Sequence, residues 1–372
     1  VWDKPFRWWL KDCEYMAEAN YKRILEEVLA GRRMNDEEFL LLYREADLPL
    51  LGQAATAARR ARFGNDLCTF VIDRNINYTN ICSCQCKFCA FYRRPEDADA
   101  YVLDQETLFA KIEEALQLGA SQLMIQGGLN ENLTIDFFES MFRDIKSRYD
   151  IVIHSLSAPE ISYIAKISGL TIRETLKRLQ QAGLDSLPGG GAEVLHDTVR
   201  SYISPNKISS REWLEVMRTA HQLGMESTAT MMMGSIDTLE QRLTHLQAIR
   251  DLQDETRGFR AFIPWTYQPG NNELMGSKIS SFNYLKFLAL SRLYLDNFPH
   301  IQGSWVTQGK AIGQLTLFFG GDDLGSIMIE ENVVRSAGVH YRMQEQEMVE
   351  LIRGAGRTPA LRDTRYNIRK MY

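Results

Sequence analysis

An α/β architecture, a (β/α)8 TIM-like barrel preceded by an N-terminal helical extension, is predicted by two features of the chain. From residue 66 onward, short apolar runs alternate with amphipathic helical segments, and that alternation argues a parallel sheet with crossover helices. The length of 372 residues suits one barrel of roughly 250 residues with additions at either end. The expected division is a helical extension over 1–65, a barrel over 66–340, and a C-terminal helix and tail packed on the barrel over 341–372.

In chain order, residues 10–62 read as helices. Tyr15, Tyr21, Ile24, Leu25, Val28 and Leu29 recur at helical spacing, Gly31 offers a stop, and Asn35-Asp-Glu-Glu starts a second apolar-periodic segment. The aromatic cluster Trp2, Phe6, Trp8 and Trp9 is expected to dock on the barrel, because large aromatics usually serve packing; a partner surface is the alternative. Strands are expected at 67–73, 122–126, 151–155, 184–187, 226–233, 259–264, 300–303 and 317–321. The last two are short and partly polar, so a partial barrel of six strands with a different C-terminal arrangement stays open. The helices between are amphipathic, as in Leu239, Leu243, Leu246, Ile249 and Leu252. In either case the active site belongs at the carboxyl ends of the strands.

A formal net charge of −5, with Lys and Arg dispersed, gives no basic stripe and argues against nucleic acid or anionic membrane as main partner. A small-molecule substrate is expected instead. No run of ~18 apolar residues appears, and Val1-Trp-Asp-Lys-Pro-Phe-Arg-Trp-Trp lacks the basic-then-apolar design of a signal peptide. Cytoplasmic residence without membrane insertion is the expectation.

The chemistry is concentrated in Asn75-Ile-Asn-Tyr-Thr-Asn-Ile-Cys82-Ser-Cys84-Gln-Cys86-Lys-Phe88-Cys89, where four of the six cysteines fall within eight residues. Cys82, Cys86 and Cys89 fit C-x3-C-x2-C, a spacing that lets one loop offer three converging thiolates to an iron–sulfur cube. Three ligands to four irons leave one iron for a non-protein partner, which implies catalysis rather than electron carriage alone. A structural zinc usually draws on two separated C-x2-4-C pairs or on distant histidines. A disulfide in so short a loop would be strained. Cys84 lies where the pattern makes no demand and reads as a bystander.

With Phe88 as the aromatic before the last cysteine, this motif resembles that of the radical S-adenosylmethionine (SAM) superfamily. The resemblance implies a [4Fe–4S] cluster held by Cys82, Cys86 and Cys89, whose free iron chelates SAM. One-electron reduction, by a carrier such as flavodoxin or ferredoxin, then yields a 5′-deoxyadenosyl radical. It places Phe88 near the adenine and matches Gly127 and Gly128, after strand two, to an element whose backbone binds the SAM amino group. Leu129 stands where that element carries an acid. Taken alone, a Gly-Gly after a strand is commonly a turn.

The later strand ends supply further candidates. His154 ends strand three and has the pKa range for proton transfer; a hydrogen-bonded histidine at the barrel rim is the plainer reading. Ser157 follows it and is grouped by the resemblance with the cofactor. Pro188-Gly-Gly-Gly-Ala-Glu193 enters a helix, so Glu193 is a candidate cofactor contact and base, or a helix-start glutamate serving the macrodipole. Met231 to Met233 read as core. Glu240 matches a cofactor-side acid in relatives, or is a cap-region charge.

Pro188–Glu193, Gln253–Asn271 and Ser304-Trp-Val-Thr-Gln-Gly309 together resemble the menaquinone futalosine-pathway branch and its deazaflavin relatives, over residues 65–340. Within that branch the match favours cyclisation of dehypoxanthine futalosine. There the radical removes the ribose C4′ hydrogen, the carbon radical adds to the substrate's benzoate ring, and loss of one electron and one proton restores aromaticity. Aminofutalosine synthase and deazaflavin synthase chemistry are the enzyme alternatives, and an iron–sulfur or zinc binding protein is the non-enzyme one. Base candidates are His154 and Glu193. Substrate hydroxyls and carboxylate are assigned to Gln268, Asn271, Thr307, Gln308 and Ser326, each equally readable as a loop-stabilising polar residue.

Overall fold

Pairing starts from one extended run, residues 67–76, in a computed structural model that describes residues 20–274 and 276–372. Trp2, Phe6, Trp8, Trp9 and Tyr15 lie outside the described residues. The run comprises β1 (Leu67–Val71) and β2 (Asp73–Ile76), broken only at Ile72. β2 pairs in parallel with β3 (Gln122–Ile125), Asp73 opposite Gln122, and β3 with β4 (Val152–Ser155), Met124 opposite His154. Single parallel bridges, His154 to Ser186 and Leu187 to Ser227, carry the order to β5 (Ser227–Met233). It continues through β6 (Phe259–Thr266) and β7 (His300–Ile301). Gln302 then bridges Asp323 of β8 (Asp323–Ser326), and β8 pairs in parallel with β1. The order returns to its start, as a TIM-like barrel requires.

Two expected strands differ. The fourth is reduced to the bridged residues Ser186 and Leu187, because Pro188 follows and has no N–H to give a ladder. The stretch 317–321 is not a strand: Thr316–Phe318 is a 3-10 turn, in which the Thr316 hydroxyl donates to Gly313 O at 2.5 Å. Gly320, at φ 87°, reverses the chain. β8 follows as the polar Asp-Leu-Gly-Ser because its side chains are used inward: Asp323 accepts from Thr69 Oγ1 at 2.6 Å, and Ser326 donates to Asp73.

Met231, Met232 and Met233 are buried and packed among apolar neighbours, the core role their type suggests. Ahead of the barrel, the helix Asp36–Glu45 starts at Asn35, whose Oδ1 accepts from Glu38 N while Glu38 accepts from Asn35 N; this reciprocal box satisfies two otherwise orphaned donors. Phe39 on that helix meets the Phe287 and Tyr294 rings edge-on at 6.1 and 5.3 Å. The extension thereby docks on the barrel helix Ser281–Tyr294.

After the helix Glu345–Gly354, the chain ends in a hairpin. β9 (Thr358–Arg362) pairs in parallel with β1, Leu67 opposite Thr358 and Phe70 opposite Leu361. β10 (Ile368–Met371) turns back on β9. The end of β9 and the turn after it reach under the barrel: Arg362 Nε donates to Asp323 at 2.6 Å, Thr364 to Gln122 Oε1 at 2.5 Å, and the Tyr366 ring stacks on His300 at 3.6 Å. The amino-terminal end of the barrel is therefore plugged.

Arg362 and Asp323 are both buried, so Arg362→Met leaves a carboxylate without its cation. The expected cost is about 3–5 kcal/mol, read by urea unfolding. A loss below about 1 kcal/mol, the range of an exposed pair, would mean that backbone pairing alone holds the plug.

Candidate active site

Beyond β2 the chain crosses the carboxyl end of the barrel as the cysteine loop, tied down by its own backbone. Cys82 N–H donates to Arg93 O, Ser83 N–H to Leu129 O and Lys87 N–H to Ile203 O, at 2.9–3.0 Å. Cys82, Cys84, Cys86, Phe88 and Cys89 all line one cavity of about 410 Å³, which extends down the barrel to Arg362, Thr364 and Tyr366 of the plug. The Cys84 and Cys86 sulfurs lie 3.5 Å apart. The hydrogen bond shared with Cys84, aided by the nearby Lys207 ammonium and opposed by burial, lowers Cys86 to about 7. Burial pushes Cys89 up to about 11.

Glycine is required at 127 and 128 by close approach. A Cβ on Gly128 would lie 2.1 Å from Ile81 O and 2.8 Å from Cys82 Cβ, and one on Gly127 would lie 2.7 Å from the Tyr78 ring. The Gly128 N–H donates to Thr79 O and the Gly127 N–H to Glu160 Oε1 at 2.9 Å. With both donors engaged, the turn has only carbonyl oxygens left for a ligand, the polarity an ammonium needs, and the Gly128 oxygen also lies 3.4 Å from Tyr78 OH. Glu160 also accepts from Tyr78 OH at 2.9 Å and from Ser157 N–H and Oγ. Ser157 is thereby positioned at the cavity wall.

Glu193, held at φ 46°, lines the cavity and pairs with Lys207 Nζ at 2.8 Å. Lys207 also lies 5.1 Å from the Phe88 ring centroid. Deeper in the cavity, His154 Nδ1 is 2.7 Å from Ser186 Oγ, and Arg260 Nη2 reaches both Ser186 Oγ, at 3.2 Å, and His154 Nδ1, at 3.4 Å. Burial, then the Arg260 charge, holds the His154 pKa well below the usual range, so the ring is neutral near pH 7.

Radical SAM and CofH/MqnC C-terminal region family models match residues 76–249 and 256–372 respectively. The chain is 48% identical over 353 residues to a cyclic dehypoxanthine futalosine synthase of Streptomyces coelicolor, covering 94% of this chain and 88% of that one. The chain belongs to the radical SAM superfamily. It is 44% identical to a cyclic dehypoxanthine futalosine synthase of Halalkalibacterium halodurans, covering 93% and 94% of the two chains. To an aminodeoxyfutalosine synthase of Thermus thermophilus it is 39% identical, covering 92% and 94%. A methylornithine synthase structure superposes with a TM-score of 0.73 at 18% identity, covering 91% of this chain and 97% of that one, a likeness of fold.

As a radical SAM enzyme the chain needs three thiolates at the mouth of a barrel, and its donor set fits a [4Fe–4S] cluster. Three sulfurs of one short loop line one cavity, and Gly128 lets the neighbouring strand end press against that loop.

Other expected site residues separate in the structure. Thr307 and Ser326 line the cavity, although Ser326 Oγ is engaged with Asp73. Gln268 and Gln308 do not line it: Gln268 Nε2 donates to Thr266 O and Thr307 O, and Gln308 binds Thr266 Oγ1 and Ser281 Oγ. Both amides brace the loop behind the wall. Asn271 lines a separate surface depression and donates to Ser336 O. Glu240, on the exposed first turn of the helix Leu239–Thr256, pairs with Arg44 outside the barrel. Glu160, Lys207 and Arg260 were not expected. Glu160 follows Ser157 at capping-box spacing and Arg260 is a lone charge in an apolar strand, whereas Lys207 lies in a loop that carries no motif.

Gly128→Ala is expected to displace the Ile81–Cys82 backbone and lose most of the reconstituted iron and its visible absorbance, while far-ultraviolet circular dichroism stays unchanged. Cys84→Ala should retain the cluster. Loss of iron in Cys84→Ala would make Cys84 a ligand.

Proposed function

We propose that this radical SAM enzyme cyclises dehypoxanthine futalosine to cyclic dehypoxanthinyl futalosine in menaquinone biosynthesis. The observation that carries the reading is the match, over more than nine-tenths of the chain, to two cyclic dehypoxanthine futalosine synthases. The cavity supports it: about 410 Å³ lies in the range of small-molecule sites. Among the described residues, no helix is long and apolar enough to cross a membrane.

Cys82, Cys86 and Cys89 would hold the cluster, with carbonyl oxygens at Gly127 and Gly128 and the Phe88 ring beside SAM. When bound, cluster and SAM, supplied with an electron by a carrier such as flavodoxin or ferredoxin, provide the 5′-deoxyadenosyl radical that takes the ribose C4′ hydrogen. The barrel wall excludes water from the substrate radical and holds C4′ against the substrate's own aromatic ring, a near-attack placement. Glu193, a cavity-wall carboxylate whose Oε1 is held by Lys207, takes the ring proton at Oε2 while the ring radical gives its one electron to an oxidised carrier of the same flavodoxin or ferredoxin class. Thr307 faces the sugar hydroxyls from beyond β7, while Ser326, whose hydroxyl is held by Asp73 and Met328 N–H, shapes the wall beside them.

Reconstituted enzyme given SAM, reductant and dehypoxanthine futalosine under anaerobic conditions should release 5′-deoxyadenosine and cyclised product in equal amounts, followed by mass spectrometry. An adenosyl adduct formed instead from an enolpyruvyl-benzoate would assign the chain to aminofutalosine synthesis. Glu193→Gln should lower cyclised product by about 10²-fold, the scale of a lost general base, while deoxyadenosine release continues. A parallel fall of both products would make Glu193 a cofactor ligand.

A further inference from the structure

We propose that Arg260 is the anchor for the aryl carboxylate of the substrate, deep in the barrel, and that His154 presents an N–H beside it and does not act as the proton acceptor. This rests on the reading that the substrate is a benzoate.

Among the described residues three cationic side chains line the cavity, and two have close carboxylates. Lys207 is paired with Glu193 at 2.8 Å, and Arg362 donates to both oxygens of Asp323, at 2.6 and 3.1 Å. Arg260 is different. Its nearest carboxylate is Glu226 at 3.7 Å, a side chain 48% exposed, whereas the Arg260 side chain is 8% exposed. Among the described residues its Nε is buried without a hydrogen-bond partner. Asp73 also lines the cavity but is turned to Ser326 and Gln122. A buried guanidinium without a close counter-ion is costly, and a carboxylate reaching Nη1, which among the described residues has only Glu226 at 3.7 Å, supplies the missing charge. The substrate's benzoate is such a carboxylate.

The proton positions on His154 follow from the donors around it. Arg260 can only donate, so Nδ1 facing its Nη2 is an acceptor, and Ser186 Oγ, which also accepts from Nη2, directs its own hydrogen to His154 Nδ1. That leaves the proton of the neutral ring on Nε2. Among the described residues Nε2 has no partner, and His154 lines the cavity. The group offered to the substrate is therefore an N–H, complementary to an oxygen anion. Arg260 and His154 present donors to the cavity, with Ser186 orienting the imidazole, and the ring proton of the substrate must leave by another group.

The test compares dehypoxanthine futalosine with its carboxamide counterpart, by anaerobic calorimetry on reconstituted enzyme with SAM and no reductant. Wild-type enzyme is expected to prefer the carboxylate by about 10- to 100-fold, the scale of a hydrogen-bonded charge. Arg260→Met should abolish that preference by weakening only the carboxylate. Arg260→Lys, which keeps the cation should the methionine variant misfold, should retain part of it. Equal binding of both ligands by wild type, or equal weakening of both in Arg260→Met, overturns the anchor. Binding of neither ligand by wild type overturns the benzoate substrate and this assignment with it. His154→Gln, which keeps an N–H but has no titratable ring, should raise KM for the substrate while the pH profile of kcat stays unchanged. A loss in kcat of about 10²-fold or more would make His154 the base.

Discussion

A carboxylate buried among apolar side chains must be satisfied on every side, and at Glu160 that requirement joins the parts of the active site. Its oxygens accept from Gly127 N–H, Tyr78 OH, Ser157 N–H and Ser157 Oγ. Those groups belong to the turn after β3, the segment leading to the cysteines, and the start of the helix after β4. Burial raises the Glu160 pKa, and these donors oppose the rise. The bonds fix the Gly-Gly turn against the cysteine loop, so that Gly128 comes within contact of Ile81 O. Leu129 occupies the acidic position of the superfamily pattern, yet a carboxylate does lie against this turn, supplied by Glu160 from the next strand end.

The cavity has two chemically distinct ends. At the mouth are soft sulfur donors, the Phe88 ring and the Glu193–Lys207 pair; at the floor are guanidinium groups and amides. A ligand with one charged end and one reacting end has a single favourable orientation in such a field. The plug strengthens this polarity, because the end of β9 and the turn after it place Arg362 and Thr364 where a barrel would otherwise admit water.

Alternation of apolar runs and amphipathic helices made the barrel legible, and C-x3-C-x2-C made the cysteine loop legible, because both are local patterns with a physical period or spacing. The fourth and eighth strands were less so: one is cut short by Pro188, and the other is polar because its side chains serve the interior. Strand-end position proved a weak guide to side-chain direction. Gln268, Gln308 and Asn271 all follow strands, but their amides are used by neighbouring backbone or by side chains behind the wall. Glu240 begins a helix outside the barrel. Lys207 was beyond reach, since only the tertiary path of its loop brings it to Cys86.

Mouth and floor are joined by residues 67–76. At one end this run delivers the cysteines; along its first residues it pairs with β9, which carries the plug. Elsewhere in the barrel, β6 bears Arg260 near its start and Trp265 near its end, both lining the cavity. Parallel strands hold such positions in register, so the separation between thiolates and floor is set by hydrogen-bonded sheet, with loops contributing only the mouth. Radical abstraction depends on near-attack placement, where an error of about 1 Å can cost 10²-fold in rate. A substrate held by its charged end against rigid strands inherits that register, and C4′ is then placed by the barrel itself.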